Sequence, residues 1–267
     1  MIDLHLHTPL CRHATGTISD YVDAARSRGV TTLCFTDHLP LPPAYPEGYA
    51  MRAEELPGYV AEVRAAARTS ETTGGPEVLC GIEADWIDEA PVLVADAVAA
   101  HAFDVVLGSV HFVDGWAFDD PDLVEGYETR DIDELWERYF AQVGNAARSG
   151  LFDVMAHPDL VKKFGFLPAR DPRDLYEALA ETLASCGLAV EVNAAGLRKP
   201  VHEIYPSLDL LRACRRHGVS ATTGSDAHTP SEVGAGLDEA ARHLRAAGFD
   251  SIVVFRRRVP EEVPLWG

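Results

Sequence analysis

The chain has 267 residues, 47% of them hydrophobic, and a formal net charge of −19. That length accommodates one α/β barrel-sized domain with a large core, and the acidity argues against a general nucleic-acid or anionic-membrane surface. It leaves room for a phosphorylated substrate, because bound cations reverse the field locally.

Five cysteines, at 11, 34, 80, 186 and 214, are odd in number and form no Cys-x-x-Cys pair. With no basic-then-apolar leader and no apolar run of membrane-spanning length, the expectation is a cytoplasmic protein with reduced thiols. Short apolar stretches alternate with helical ones. Strands are expected at 2–7, 31–37, 77–83, 104–111, 152–157, 188–194, 219–225 and 251–255. Helices are expected at 18–28, 54–73, 89–101, 133–149, 172–186, 207–217 and 231–247. Ser19, Ser207 and Ser231 suit helix starts, and Gly29, Gly150, Gly187, Gly218 and Gly248 suit helix ends. The alternation implies a parallel sheet, and no repeat or linker divides the chain, so residues 1–267 read as one domain. The Pro-rich stretch 40–46 reads as a loop over the mouth of a barrel.

In the first strand, Asp3-Leu4-His5-Leu6-His7-Thr8 puts His5 and His7 on one face, with Ile2, Leu4 and Leu6 on the other. Paired imidazoles suit a divalent metal, although this pair alone is evenly balanced between ligand and half-exposed strand. His13 follows in the first loop, and the second strand delivers Asp37 and His38. The loop carrying Tyr45, Tyr49 and Arg52 lies where a substrate would be covered. The third strand ends in Glu83, costly in an apolar run unless paired or metal-bound, with Asp85 as a supporting group or a solvated one. The fourth runs through Ser109 to His111, and the fifth reaches His157 before Pro158 stops it. All three lysines, 162, 163 and 199, fall in the loops after the fifth and sixth strands beside Arg198, a suitable cradle for phosphate. The seventh strand ends in Asp226 and His228, spaced like His5 and His7. His101, His202, His217 and His243 read as structural.

His5, His7, His13, His38, Glu83, His111, His157, Asp226 and His228 are too many for one tetrahedral ion with an open position. They suit two or three ions with a bridging carboxylate. Taken together, DLHLHT, the HA-x-G loop, TDH, GIEAD, SVHF, AHPDL and GSDAH resemble the polymerase and histidinol phosphatase (PHP) superfamily over nearly the whole chain. HPDLVKKF, EVNAAGLRKP and EIYPS resemble its histidinol-phosphatase branch.

The resemblance implies a distorted (β/α)7, TIM-like barrel with the metal site at the C-terminal ends of the strands, leaving 251–255 as an extra element. It implies one ion on His5, His7, Glu83 and Asp226, with Glu83 bridging to a second on His111 and His157. A third ion would sit on His13, His38 and His228; zinc, iron and manganese all suit such ligands. The implied reaction is hydrolysis of a small phosphomonoester, L-histidinol phosphate, in histidine biosynthesis, with no nucleic-acid or membrane partner. Glu83, Asp226 and His228 are expected beside the reacting atoms, and Lys162, Arg198 and Lys199 around the phosphoryl oxygens, with Ser109 adding a hydrogen bond. The general acid and the oligomeric state stay unassigned. The alternatives are an amidohydrolase, another PHP phosphoesterase (a protein-tyrosine phosphatase or a single-strand nuclease) and a non-catalytic PHP module. A nuclease would want a basic groove, and a non-catalytic module would have lost ligands.

Overall fold

The computed structural model describes residues 1–88 and 90–266. Position 89, where the third expected helix begins, and position 267, the end of the expected domain, lie outside the described residues. In chain order the main strands are β1 (Ile2–Leu6), β2 (Thr32–Phe35), β3 (Glu77–Cys80), β4 (Ile82–Asp85) and β5 (Val106–Ser109). A small antiparallel hairpin follows, β6 (Phe112–Val113) and β7 (Trp116–Ala117), and then β8 (Val154–Met155), β9 (Ala189–Asn193) and β10 (Ala221–Gly224). The helices are α1 (Ile18–Ser27), α2 (Leu56–Thr72), α3 (Pro91–Ala100), α4 (Ile132–Arg148), α5 (Arg173–Cys186), α6 (Leu208–Arg216) and α7 (Leu237–Ala247).

Two parallel sheets result, one in the order β1-β2-β3 and one in the order β10-β9-β8-β5-β4. The expected third strand is therefore two, broken at Gly81. A Cβ at Gly81 would lie 2.8 Å from Thr36 Cγ2, Val105 Cγ1 and the Val105 carbonyl, so only glycine lets the neighbouring chains close in there. The second junction is at β1, where Leu6 bridges Ala227 in parallel and His7 N donates to Ala227 O at 3.0 Å.

β1 departs from strict alternation. Its register with β2 runs Ile2–Thr32 and Asp3–Leu33, then jumps to Leu6–Phe35, which leaves one extra residue in β1. A bulge of this kind redirects side chains. Leu4 packs with Cys34, Leu79, Val105, Leu107, Val154 and Ala189, whereas Leu6 joins the larger cluster that includes Tyr21 and Tyr59. The expectation that Leu4 and Leu6 share a face fails for that reason.

Ser19 and Ser207 stand at helix starts as expected, and Ser231 does not. α1 is opened by a capping box between Thr17 and Asp20, and Ser19 falls in its first turn. Ser207 stands at the start of α6 without a side-chain cap. α7 begins at Leu237 and not at 231, because Pro230–Glu232 forms its own short turn and Gly236, at φ 77°, sets the entry. The expected strand at 251–255 is β11 (Ser251–Arg256), paired antiparallel with β12 (Val259–Pro264) outside the parallel sheets. Val253, Val254 and Phe255 complete the cluster around Leu4. Arg256 Nη2 donates to Glu77 Oε2 at 2.6 Å, Arg258 Nε to Asp153 at 3.0 Å, and Arg258 N to Asp104 O at 2.8 Å. Those three acids stand where β3, β8 and β5 begin, so the hairpin covers the N-terminal ends of the strands. Among the described residues no helix is long and apolar enough to cross a membrane, and the five cysteines are free thiols.

Candidate metal centre

The opposite, C-terminal strand ends gather polar side chains. β1 supplies His5 and is followed by His7 and His13; β2 is followed by Asp37 and His38. β4 carries Glu83, and His111, His157, Asp226 and His228 come just after β5, β8 and β10. All nine side chains expected as ligands converge here.

Glu83, 1% exposed, is the hub. Its Oε2 lies 3.1 Å from His5 Nε2, 3.2 Å from His38 Nδ1 and 3.6 Å from His7 Nε2. Its Oε1 lies 3.0 Å from His157 Nε2 and 3.8 Å from His111 Nε2. One carboxylate thus faces two groups of imidazoles, the placement a bridging ligand needs. Asp226 Oδ1 is 3.2 Å from His7 Nε2 and 3.4 Å from His228 Nδ1. The His13 ring stacks on His228 at 4.7 Å and lies 5.5 Å from His38. His157 and Asp226 sit at positive φ, 26° and 53°, a strained backbone of the kind that collects at functional sites.

The residues fit divalent cations. His5 Nε2 and His7 Nε2 face one another at 3.1 Å, so their lone pairs repel unless a proton or a cation lies between them. Nδ1 of His7 and of His157 are buried with no hydrogen-bond partner among the described residues, an arrangement that costs about 1–3 kcal/mol per group. His5–His7–Glu83 and His7–His38–His228 each offer three donor atoms within 4.8 Å of one another, and imidazole with carboxylate is a common set for zinc and its neighbours.

Burial alone would strip protons from these rings. Glu191, Glu83 and Asp226 outweigh it at His5, which is held well above its usual value. The nearby carboxylates of Asp226 and Asp37 likewise outweigh burial at His7, raised to about 9, and Asp85 does so at His111, raised to about 10. At His38 and His228 burial wins, and both lie well below the usual imidazole value. Burial opposes ionisation of Glu83 and Asp226, yet the surrounding imidazoles hold both well below the carboxylate range. Like residues pushed in opposite directions mark a chemical site.

The chain matches the PHP domain model over residues 3–195 and a PHP-associated model over residues 210–247. It belongs to the PHP domain family. A "Probable histidinol-phosphatase" of Deinococcus radiodurans is 45% identical over 259 residues, 97% of each chain. The "Histidinol-phosphatase" of Bacillus subtilis is 27% identical over 87% of this chain and 95% of its own. A crystal structure of histidinol phosphate phosphatase from Lactococcus lactis, complexed with zinc, L-histidinol and phosphate, shares the fold. It aligns at a TM-score of 0.83 and 21% identity over 97% of this chain and 98% of its own.

Around the imidazoles of this PHP chain opens a cavity of about 430 Å3, walled by Tyr49, Phe112, Asp119, Lys163, Lys199 and Tyr205. Of the expected phosphate-binding groups, Lys199 lines it. Lys162 does not: it is 1% exposed, with Nζ 3.0 Å from Asp159 Oδ2, 3.2 Å from Glu203 Oε2 and 2.9 Å from Ile204 O. Lys162 closes a short helical turn, where adjacent side chains diverge, so its neighbour Lys163 faces the cavity instead. Arg198 also lies off the cavity. It donates to Ser225 O at 2.7 Å and pairs with Glu232 at 3.2 Å, fastening the loop that carries Asp226. Ser109 is fully buried, its Oγ without a partner among the described residues, and does not line the cavity. In the loop after β2, Tyr49 reaches the wall and bonds Asp120, Tyr45 packs on Phe112, and Arg52 pairs with Glu54 and Glu55 on the exposed surface.

Two further buried acids support the cluster: Glu191, which no strand-end motif marks, and Asp37, which ends the expected second strand without an expected role. Glu191, on β9, has Oε1 2.7 Å from His5 Nδ1 and accepts His157 N on Oε2 at 2.9 Å. Gly224 makes room for it, since a Cβ there would lie 2.2 Å from Glu191 Oε1. Asp37 accepts His38 N at 2.9 Å and lies 3.6 Å from His7 Nδ1. A glutamate inside the apolar run Ala189–Asn193 was the same cue that singled out Glu83. Of the two readings left open for Asp85, the supporting one fits: it accepts His111 N at 3.0 Å, with His111 Nδ1 at 2.9 Å. His217 pairs with Glu177 and His243 bonds Pro206 O, both away from the site.

Proposed function

We propose that this PHP chain is a metal-dependent phosphomonoesterase that hydrolyses L-histidinol phosphate to L-histidinol and phosphate in histidine biosynthesis. The observation that carries this reading is the Glu83 carboxylate set between two imidazole groups at the cavity. The 45% identity to a relative named as a probable histidinol-phosphatase supports the substrate. The two sheets, joined through Gly81 and at Leu6–Ala227, are read as one distorted seven-stranded barrel with its site at the C-terminal strand ends.

His5, His7, Glu83 and Asp226 would hold one divalent cation, Glu83 with His111 and His157 a second, and His13, His38 and His228 a third. Zinc is the first choice, with iron and manganese accepted by the same donors. Bound there, such cations supply a water of pKa lowered towards about 7 and positive charge for the phosphoryl oxygens. The protein's own groups position and neutralise. Lys199 and Lys163 face the cavity and offset charge on the transferring phosphoryl group. Glu191 and Asp85 fix the rings of His5 and His111, which keeps the donor nitrogens aimed inward, and Asp37 lies beside the His7 ring. Glu83, Asp226 and His228 stand beside the reacting atoms and hold the site's geometry.

Steady-state kinetics with metal analysis tests this. The expected kcat/KM for L-histidinol phosphate exceeds those for p-nitrophenyl phosphate, a phosphotyrosyl peptide and a single-stranded oligonucleotide by about a hundredfold or more. A chelator should abolish it and zinc restore it. Turnover confined to the peptide or the oligonucleotide would reject the assignment.

A further inference from the structure

Among the carboxylates that line the cavity, most are already engaged. Glu83 and Asp226 face imidazoles, Asp85 holds His111, and Asp120 takes the Tyr49 hydroxyl and Asp122 N. Asp119 differs. Its side chain is 21% exposed, and Oδ2 accepts Lys163 Nζ at 3.1 Å. Lys163 also donates to the Asp119 carbonyl at 2.6 Å, so the lysine fixes this residue from one side. Oδ1 has no hydrogen bond among the described residues. Burial would favour the neutral acid, but Lys163, His111 and His157 keep the carboxyl below its usual range. Asp119 is therefore an anchored anion beside the His111–His157 side of the cluster, with one oxygen to spare.

The chemistry of the substrate supplies a matching group. In L-histidinol phosphate the ammonium sits on the carbon next to the one bearing the ester oxygen. A phosphoryl group held over the imidazole cluster brings that ammonium to the wall of the same cavity. We propose that Asp119 receives the substrate's ammonium group, and that this contact selects phosphate esters of amino alcohols over uncharged esters. The inference rests on the histidinol-phosphate reading above. An uncharged ester would displace water from the free Asp119 oxygen and give nothing back, so the wrong substrate bears the cost of desolvating that oxygen.

The test crosses protein and ligand changes. Metal-loaded wild type, Asp119→Asn and Lys163→Met are compared on L-histidinol phosphate and on the same ester lacking the amino group, with metal content measured for each. Wild type is expected to prefer the aminated ester by about thirtyfold or more in kcat/KM, a ratio typical of a desolvated charge pair. In Asp119→Asn the ratio should fall to within about threefold of unity. Lys163→Met keeps the carboxylate, so both substrates should slow while most of the preference survives. Should Asp119→Asn fail to fold, Asp119→Ser carries the same comparison. A preference that persists without the carboxylate overturns the proposal. So does a parallel fall for both esters, which would make Asp119 an anchor for Lys163 and nothing more. Wild type that turns over neither ester rejects the histidinol-phosphate reading itself, a result distinct from an unmoved ratio.

Discussion

Between the strands, Leu4, Cys34, Leu79, Val105, Leu107 and Val154 meet Val253, Val254 and Phe255 of the C-terminal hairpin, which covers the strands' N-terminal ends. At the C-terminal ends of the same strands, within three residues of where they stop, buried imidazoles crowd around Glu83 and Asp226. The first region gains from burial directly, at about 25 cal/mol per Å2 of apolar surface, whatever the pH or the ions present. The second buries polar groups that repay their desolvation only through partners. Stability and chemistry are thus segregated along the strand axis, and the apolar end fixes the spacing that the polar end needs.

The largest expected effect comes from breaking the polar end at its hub. Glu83→Gln keeps the shape but loses the charge and one acceptor, so it cannot serve both imidazole groups. Turnover should drop by about a thousandfold or more, in the range seen when a principal electrostatic group is lost. Metal analysis should show depletion on the His111 and His157 side. Activity within tenfold of wild type would mean that the site is not organised around this carboxylate.

Breaking the apolar end should do the reverse. Phe255, 5% exposed, packs against the strand starts. Phe255→Ala is expected to cost about 3–5 kcal/mol of stability in urea unfolding, through lost contacts and the cavity left behind. Metal content and kcat of the folded fraction should stay at wild-type levels. A fall in kcat per folded molecule would show that the two ends are not separable.

The polar end was the more legible in the sequence, because its signal is short-range. A His or Glu that finishes an apolar run, as at Glu83, His111 and His157, can be read from a few neighbours. The apolar lid was not legible in full. β12 carries Pro260, Glu261, Glu262 and Pro264, has no strand-like alternation, and is defined only by its pairing with β11. The break at Gly81 is set by Thr36 and Val105, and the direction of Lys162 by Glu203 and Ile204, all distant in the chain. The bulge in β1 likewise depends on register with β2. Residue type at a strand end announces chemistry; which of two adjacent lysines faces the cavity is decided by packing that no local pattern records.

The smallest expected effect divides the polar end itself. In metal-free protein His7, raised to about 9, and His111, raised to about 10, hold protons at neutral pH, while His38 and His228 are already neutral. A cation requires the neutral ring, so His7 and His111, together with His5, which is also held well above its usual value, must release protons, and affinity should climb about tenfold per pH unit for each proton displaced. The same protons act on the metal-free fold with the opposite sign. Because the folded values of His7 and His111 lie above the ordinary 6.5, their stabilising contribution is complete below that pH and is lost as pH rises through about 9 and about 10. Calorimetry with and without chelator, at fixed free zinc, should therefore show the melting temperatures of the two forms separating between about pH 6 and about pH 9. Phe255→Ala should show the same separation from a lower baseline, since its cluster gains or loses no proton in that range. A gap that stays flat or narrows would place the displaced protons elsewhere than on His5, His7 and His111.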